Sequence, residues 1–306
     1  MPETLFKINA KEYILPGNRA CQGCGLALAY RMALKALREK TIMTLGPSCL
    51  CVLHGLYPST SVLLPGLNTT FASAGAAASG LVAGLRALGR DDETVVAFIG
   101  DGGTFDMGLQ SLSGAAERQT DFIYVCYDNE GYMNTGTQRS SATPPGAITT
   151  TTPILTKEEP KKDLLRIMEA HDVPYIATAS PAYPIDLYDK FVKAKKIKGT
   201  RYIHLLIPCP PGWGFPPKDM IKVGRLAVET GVFPLLEIEN GNLRLTGRSQ
   251  AIAERGKLRP VNAYLERQAR FQKMRADQIK LFQQWVDKRW GEYLRRAEAD
   301  AKHFSP

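Results

Sequence analysis

Asp101 and Asn129 are the residues of this sequence best suited to hold a hard cation. Asp101 lies in Gly100-Asp101-Gly102-Gly103, and Asn129 in Cys126-Tyr127-Asp128-Asn129-Glu130-Gly131-Tyr132-Met133-Asn134. A divalent cation that offsets the charge of a pyrophosphate takes oxygen ligands from a carboxylate, an amide and a backbone carbonyl, and keeps phosphate oxygens in its octahedron. Asp101, Asn129 and the main chain at Gly131 match that set. The glycines let the backbone approach phosphates closely, and amides at a following helix start can bind them. Gly-Asp-Gly alone also marks ordinary strand-end turns, so the reading depends on the asparagine and on the flanks.

Cysteines form a second set. Cys21 and Cys24 make Cys-Gln-Gly-Cys, Cys49 and Cys51 lie in Gly46-Pro47-Ser48-Cys49-Leu50-Cys51, and Cys209 lies in Pro208-Cys209-Pro210-Pro211-Gly212-Trp213. No secretion signal is recognisable, so a cytoplasmic location is expected and a disulfide framework is not. A Cys-x-x-Cys pair in a reducing compartment points to metal, an iron-sulfur cluster or redox exchange. Structural zinc usually takes two close pairs, and the second pair is absent in that form. A four-iron four-sulfur cluster also needs four thiolates but accepts distant ones brought together by the fold. Cys126 alternates with apolar neighbours and reads as a core residue.

These residues need elements to position them. Residues 94–99 and 121–127 are apolar, β-branched runs of strand length that end at the glycines and at Asp128-Asn129. Between them, 107–118 carries Leu109, Leu112 and Ala115 at helical spacing, which predicts strand, crossover helix, parallel strand. Helical patterns at 26–40, 161–171 and 184–197 and strand patterns at 175–178 and 202–207 continue the alternation. The expected fold is α/β, a mainly parallel sheet with helices on both faces, whose carboxyl edge carries ligand sites. Cys209 follows the last strand and falls on that same edge. Residues 135–160 read as a long ordered loop of the kind that is often functional. His171 and His204 are expected on a helix surface and in strand packing, because neither sits in a recognisable acid-base pair.

Composition sets limits. The chain has 306 residues, is 44% hydrophobic and carries a net charge of +9. No apolar run reaches membrane length, so no membrane partner is expected. Residues 253–302 hold 13 Lys and Arg against 7 Asp and Glu, but Phe271, Met274, Leu281, Phe282 and Trp285 interleave at helical spacing. That mixture predicts an amphipathic helix docking on a partner subunit rather than a nucleic-acid surface. The expected division is 1–245 for the cofactor domain and 246–306 for a basic helical extension.

The chain resembles the β subunit of the 2-oxoacid:ferredoxin oxidoreductases, in the branch of pyruvate:ferredoxin oxidoreductase (pyruvate synthase) and oxalate oxidoreductase. The resemblance runs from about Gly17 to about Leu245 through Gly100-Asp101-Gly102-Gly103-Thr104, Tyr127 to Gly136, Gln138 to Pro144, and Pro208 to Trp213. It implies a thiamine diphosphate-binding pyrophosphate-domain fold, with the cofactor held along Gly100, Asp101, Gly102, Gly103, Asn129, Gly131, Asn134 and Thr135. It further implies Mg2+ on Asp101, Asn129 and the Gly131 carbonyl, and one 4Fe-4S cluster on Cys21, Cys24, Cys49 and Cys209, with Cys51 spare. Asn134 corresponds to an asparagine facing the thiazolium and the substrate, a catalytic position where an amide can steady a carboxylate or a developing oxyanion.

Two parts of such an enzyme are missing from this sequence. One diphosphate motif leaves no second domain for the glutamate that activates the aminopyrimidine, so another subunit is expected to supply it. No ferredoxin-type Cys-x-x-Cys-x-x-Cys run is present, so a further subunit with such clusters is expected to pass electrons to ferredoxin. Phe71-Ala72-Ser73-Ala74 stands where the pyruvate branch usually has Phe-Glu-Asn-Ala. Loss of an acidic side chain there eases the approach of a dianion, which ranks oxalate ahead of pyruvate as substrate. The alternatives are a pyruvate synthase β subunit producing acetyl-CoA and, more distantly, a noncatalytic zinc-binding interaction subunit.

Overall fold

The computed structural model describes residues 8–302. Among the described residues eight strands form one sheet in the order β2-β1-β3-β4-β6-β5-β7-β8. They are β1 (Thr41–Leu45), β2 (Gly66–Asn68), β3 (Thr94–Gly100), β4 (Phe122–Asp128), β5 (Tyr175–Ala179), β6 (Thr200–Leu206), β7 (Leu236–Glu239) and β8 (Asn242–Leu245). The first six pair in parallel, and β7 and β8 close one side antiparallel. The alternation along β3 explains why both faces are covered: Val96 and Phe98 enter one apolar core while Val95, Ala97 and Ile99 enter the other.

Helix α1 (Gly25–Leu37) repeats apolar residues as Leu26, Ala29, Tyr30, Ala33, Leu34 and Leu37, and buries that stripe on the first face. Next come α2 (Cys49–His54), α3 (Ala74–Ala87), α4 (Leu109–Glu117), α5 (Leu164–Glu169) and α6 (Pro184–Lys196). Helix α6, with proline at its first turn, packs beside α1, whereas α3, α4 and α5 cover the opposite face. A third apolar cluster joins α7 (Pro210–Trp213), α8 (Met220–Glu229), α10 (Asn262–Leu265) and α11 (Ala276–Lys302). Helix α9 (Gly247–Arg255) adds Ile252 to the second core.

Two departures from the sequence reading have physical causes. Between β3 and α4 the chain makes a π-helical turn, Gly102–Met107, in which the Gly108 N–H donates to the Gly103 carbonyl at 2.6 Å. A Cβ on Gly108 would lie 2.4 Å from that carbonyl oxygen, so the wide turn needs glycine there. Such π segments recur at functional sites. The second departure lies at the C-terminus, where the apolar stripe expected to face a partner subunit packs on the chain itself. Phe271, Phe282 and Val286 are buried in the chain's own third cluster, Met274 and Trp285 pack against it, and only Leu281 of the expected docking stripe is exposed, at 62%. Phe271 and Met274 moreover precede α11. The apolar face of this basic segment is covered in cis, and residues 1–7 and 303–306 of the expected division lie outside the described residues.

Candidate active site

Four adjacent strands deliver the sequence-predicted residues to one edge. Cys49 follows β1, Asp101 follows β3, Asn129 follows β4 and Cys209 follows β6, each just past the carboxyl end of its strand. Helix α1 turns directly into β1 and therefore runs antiparallel to it. Its N-terminus, preceded by Cys21 and Cys24, sits at the same edge. The Cys21–Cys24 turn closes with a Cys24 N–H to Cys21 carbonyl bond of 3.1 Å. Gly23, at φ +67°, lies so close to Pro217 that a Cβ would stand 2.5 Å from its oxygen.

Pro47, Cys49, Phe71, Gly100, Gly102 and Gly103 join Asp101, Asn129, Gly131, Met133, Asn134 and Thr135 around one cavity of about 130 Å³. Tyr127 lines it as well and keeps a buried hydroxyl without a partner. Asp101 is 1% exposed, and its Oδ2 accepts a 2.5 Å bond from Ser140 Oγ. Burial, then the neighbouring Asp128 carboxylate, push its carboxyl well above the usual range. The Asn129 side-chain oxygen lies 2.9 Å from both Asp101 Oδ1 and the Gly131 carbonyl oxygen, with no donor among the three. Three oxygens converging this way repel one another unless the amide turns over or a cation stands among them. A carboxylate, an amide and a carbonyl are the donor set of a hard divalent ion. Gly102 is closely covered: a Cβ would meet the Tyr132 ring at 2.2 Å.

A second cavity adjoins the first. Cys21, Cys24, Cys49 and Cys209 all line it, with Val52, Leu53, Pro208, Pro210 and Pro211. Cys51 points elsewhere, its thiol donating to the Gly46 carbonyl at 3.0 Å, and Cys126 is buried in the sheet. Burial, then Cys209, Cys24 and Cys21 in turn, push the Cys49 thiol up to about 12. Burial and the charges of Cys24 and Cys21 likewise raise Cys209 to about 11. Four such neighbours cannot all be thiolates without a positive centre between them. Among the described residues no three Cys, His, Asp or Glu side chains converge as ligands of one ion do. The four cysteines line one cavity instead, which suits thiolates that each bind a different iron of a cluster. Cys49, Asn129 and Asn134 line both cavities.

A buried polar layer behind this edge escapes sequence reading. His204 Nε2 lies 2.8 Å from Asp128 Oδ2, which also accepts a 2.5 Å bond from Lys161 Nζ. His204, whose pKa burial lowers, thus hydrogen-bonds within a buried polar layer and does not serve strand packing alone. Against the burial that alone would raise it, Lys161 and then His204 hold the Asp128 carboxyl down at about 2. His171 keeps a packing role, bonded to Ile167 and Ser113. Ala72 and Ser73 do not line the cavity; Phe71 does, and Ser73 Oγ instead accepts from Thr70.

Comparison with known proteins agrees with this geometry. Residues 46–205 match the thiamine pyrophosphate enzyme, C-terminal TPP-binding domain family. Pyruvate synthase subunit PorB of Methanothermobacter thermautotrophicus is 48% identical over 92% of this chain and 97% of its own length. The chain belongs to the β subunits of the 2-oxoacid:ferredoxin oxidoreductases, in the pyruvate synthase branch. Ketoisovalerate oxidoreductase subunit VorB of Pyrococcus horikoshii is 42% identical to this β subunit over 97% of the chain and 98% of its own length. Among solved structures, a chain of 2-oxoglutarate:ferredoxin oxidoreductase from Magnetococcus marinus superposes with a TM-score of 0.56 at 27% identity, covering 69% of this β subunit and 72% of that chain. The ranking of oxalate ahead of pyruvate finds no support: the relatives carry 2-oxoacid names, and the Ala72-Ser73 segment lies off the cavity.

Proposed function

We propose that this β subunit holds Mg2+ and the diphosphate of thiamine diphosphate on Asp101, Asn129 and the Gly131 carbonyl, and one 4Fe-4S cluster on Cys21, Cys24, Cys49 and Cys209. The sharing of Cys49, Asn129 and Asn134 by the two cavities carries this reading. It leaves no protein layer between the place where electrons arise and the place that takes them. The 2-oxoacid is pyruvate, by likeness to the PorB subunits, and its oxidative decarboxylation sends electrons to ferredoxin.

Bound thiamine diphosphate supplies the nucleophilic carbon and the electron sink for cleaving the bond next to the carboxylate. The chain's residues hold and shield. Asp101 brings a negative charge to the cation site, and Ser140 fixes the carboxylate's other oxygen. Asn134, exposed at the mouth of both cavities, presents an amide N–H to the substrate carboxylate or to an oxyanion. Phe71 and Met133 give the cavity apolar walls that limit water.

The site needs partners. A cavity of about 130 Å³ is smaller than the roughly 300 Å³ or more that encloses a whole drug-sized ligand. Exposed Val52, Leu56, Tyr57, Leu63 and Leu67 spread outward from α2, whose first residue is Cys49. Such an apolar surface suits a subunit that brings the activating glutamate and closes the cofactor's other half. A further subunit with ferredoxin-type clusters takes the electrons on.

Anaerobic purification of the complex, with iron, sulfide, zinc, magnesium and thiamine analysis, tests the cofactors. Zinc in place of iron and sulfide, with no thiamine diphosphate, would support the noncatalytic alternative. Supplying pyruvate, ketoisovalerate and oxalate separately as electron donors tests the substrate. Pyruvate is expected to reduce ferredoxin fastest, and faster reduction by either of the others overturns that assignment.

A further inference from the structure

Glu130, the residue between two of the cation-site oxygens, has an unusual backbone. It sits at φ +66°, a left-handed conformation disfavoured for any residue with a Cβ, yet it is 4% exposed and not a glycine. Its side chain is held from two directions. Arg270 Nη2 donates to Oε2 at 2.6 Å, and Lys161 Nζ to Oε1 at 3.0 Å. The Glu130 N–H donates to Asp128 Oδ1 at 2.9 Å, and its carbonyl accepts from Thr143 Oγ1 at 2.8 Å. One residue earlier, the Asn129 carbonyl accepts a 2.7 Å bond from Trp213 Nε1, and the Arg270 guanidinium lies 3.9 Å over that indole.

Arg270 therefore fixes the turn twice, directly through Glu130 and indirectly through the ring that holds Asn129. Tyr264 and Gln268 orient the guanidinium in turn, at 3.1 and 2.9 Å. The left-handed residue bends the chain so that the Asn129 side-chain oxygen and the Gly131 carbonyl oxygen reach 2.9 Å from each other. Uncharged glycine would adopt this conformation more readily. A glutamate bonded to buried Arg270 and partly buried Lys161 stands there instead, and its carboxylate holds the turn in one geometry.

We propose that Glu130 and Arg270 are positioning residues for the cation at the diphosphate site, and that the segment after residue 245 thereby sets the site's Mg2+ affinity. This rests on the Mg2+-thiamine diphosphate reading above. Outer partners that orient metal ligands change metal affinity by about 10- to 100-fold when removed.

The test uses the assembled complex, stripped of thiamine diphosphate with chelator, and reads cofactor bound at fixed thiamine diphosphate against rising Mg2+. Glu130→Gly and Arg270→Met are expected to raise the Mg2+ needed for half-saturation by about 10-fold or more, and Arg270→Lys to restore much of the loss. Iron content and thermal midpoint are read alongside. Wild-type Mg2+ dependence in Glu130→Gly or Arg270→Met overturns the inference, because the turn then forms without its clamp. If either variant loses iron and stability together, the isosteric Glu130→Gln decides, an unchanged half-saturation again counting against the proposal. Thiamine diphosphate binding by the unmodified complex with no need of Mg2+ removes the cation reading itself and the inference with it.

Discussion

Asn129 Nδ2 lies 4.0 Å from Cys49 Sγ, while the oxygen of the same amide faces Asp101 and the Gly131 carbonyl. One side chain thus spans the boundary between the cavity at Asp101 and the cavity of the four cysteines. Its position follows from the sheet: β1, β3 and β4 are consecutive neighbours, so the residues that follow them stand only a strand spacing or two apart.

On the proposed function the two cofactors are separable by mutation despite that proximity, because Asp101 lines the first cavity and not the cysteine cavity. Asp101→Ala removes a cation ligand without touching a thiolate, so thiamine diphosphate retention should fall to background while iron stays near normal. The measurement is thiamine and iron content of the purified complex. Parallel loss of both would mean that Asp101 supports the fold rather than the cation.

The cysteines divide by cavity. Cys21, Cys24, Cys49 and Cys209, changed singly to Ala, should each lower iron content, whereas Cys51→Ala and Cys126→Ala should keep it. Cys126→Ala should cost only about 1 kcal/mol of stability, the loss of one small buried group. Iron lost with Cys51→Ala but kept with Cys49→Ala would exchange the roles of those two residues.

Why some of this was readable in the sequence and some not comes down to distance along the chain. Asp101 and Asn129 belong to one strand-helix-strand unit, so apolar runs of strand length and a helical period suffice to place both at one edge. Cys209 was placed by the same logic, because a parallel strand just before it ends on that edge. The layer behind was hidden. Arg270 and Glu130 are 140 residues apart, and no local pattern marks either as the other's partner. His204 meets Asp128 only because β6 lies beside β4 with Cys126 opposite His204, a register that periodicity does not reveal. The C-terminal stripe is ambiguous for a related reason. Periodicity identifies a face to be buried and leaves open whether the chain's own third cluster or another subunit buries it.

Lys157 gives the long loop a pH dependence. It is 2% exposed, and its Nζ donates to the Thr143 carbonyl at 2.6 Å and the Pro160 carbonyl at 3.3 Å. Burial, then Arg139, lower its pKa from 10.5 to about 8. Below pH 8 the folded and unfolded chains both hold the proton. Between about 8 and 10.5 only the unfolded chain does, so stability rises with pH across that window, by up to about 3 kcal/mol at roughly 1.4 kcal/mol per unit. Lys157→Met should abolish the rise. In urea unfolding, wild type should gain on the variant from pH 7 to pH 10.5, and a constant difference would refute the assignment.

Dependence on partners is the sharpest expectation. The isolated β subunit, even loaded with both cofactors, should not reduce a dye acceptor when given pyruvate. Among the described residues lining the two cavities, Asp101 is the one acidic side chain and it faces the proposed cation site; behind it Glu130 is clamped by Lys161 and Arg270, and Asp128 bonds Lys161 and His204. None of these is left to donate to an aminopyrimidine, and on the proposed function a partner subunit would bring such a group across the exposed apolar side chains around Tyr57. Reconstitution should therefore restore turnover in proportion to the partner added. Substrate-dependent dye reduction by the isolated chain would show that its own residues complete the site, and would end the argument that this β subunit is one half of a composite active centre.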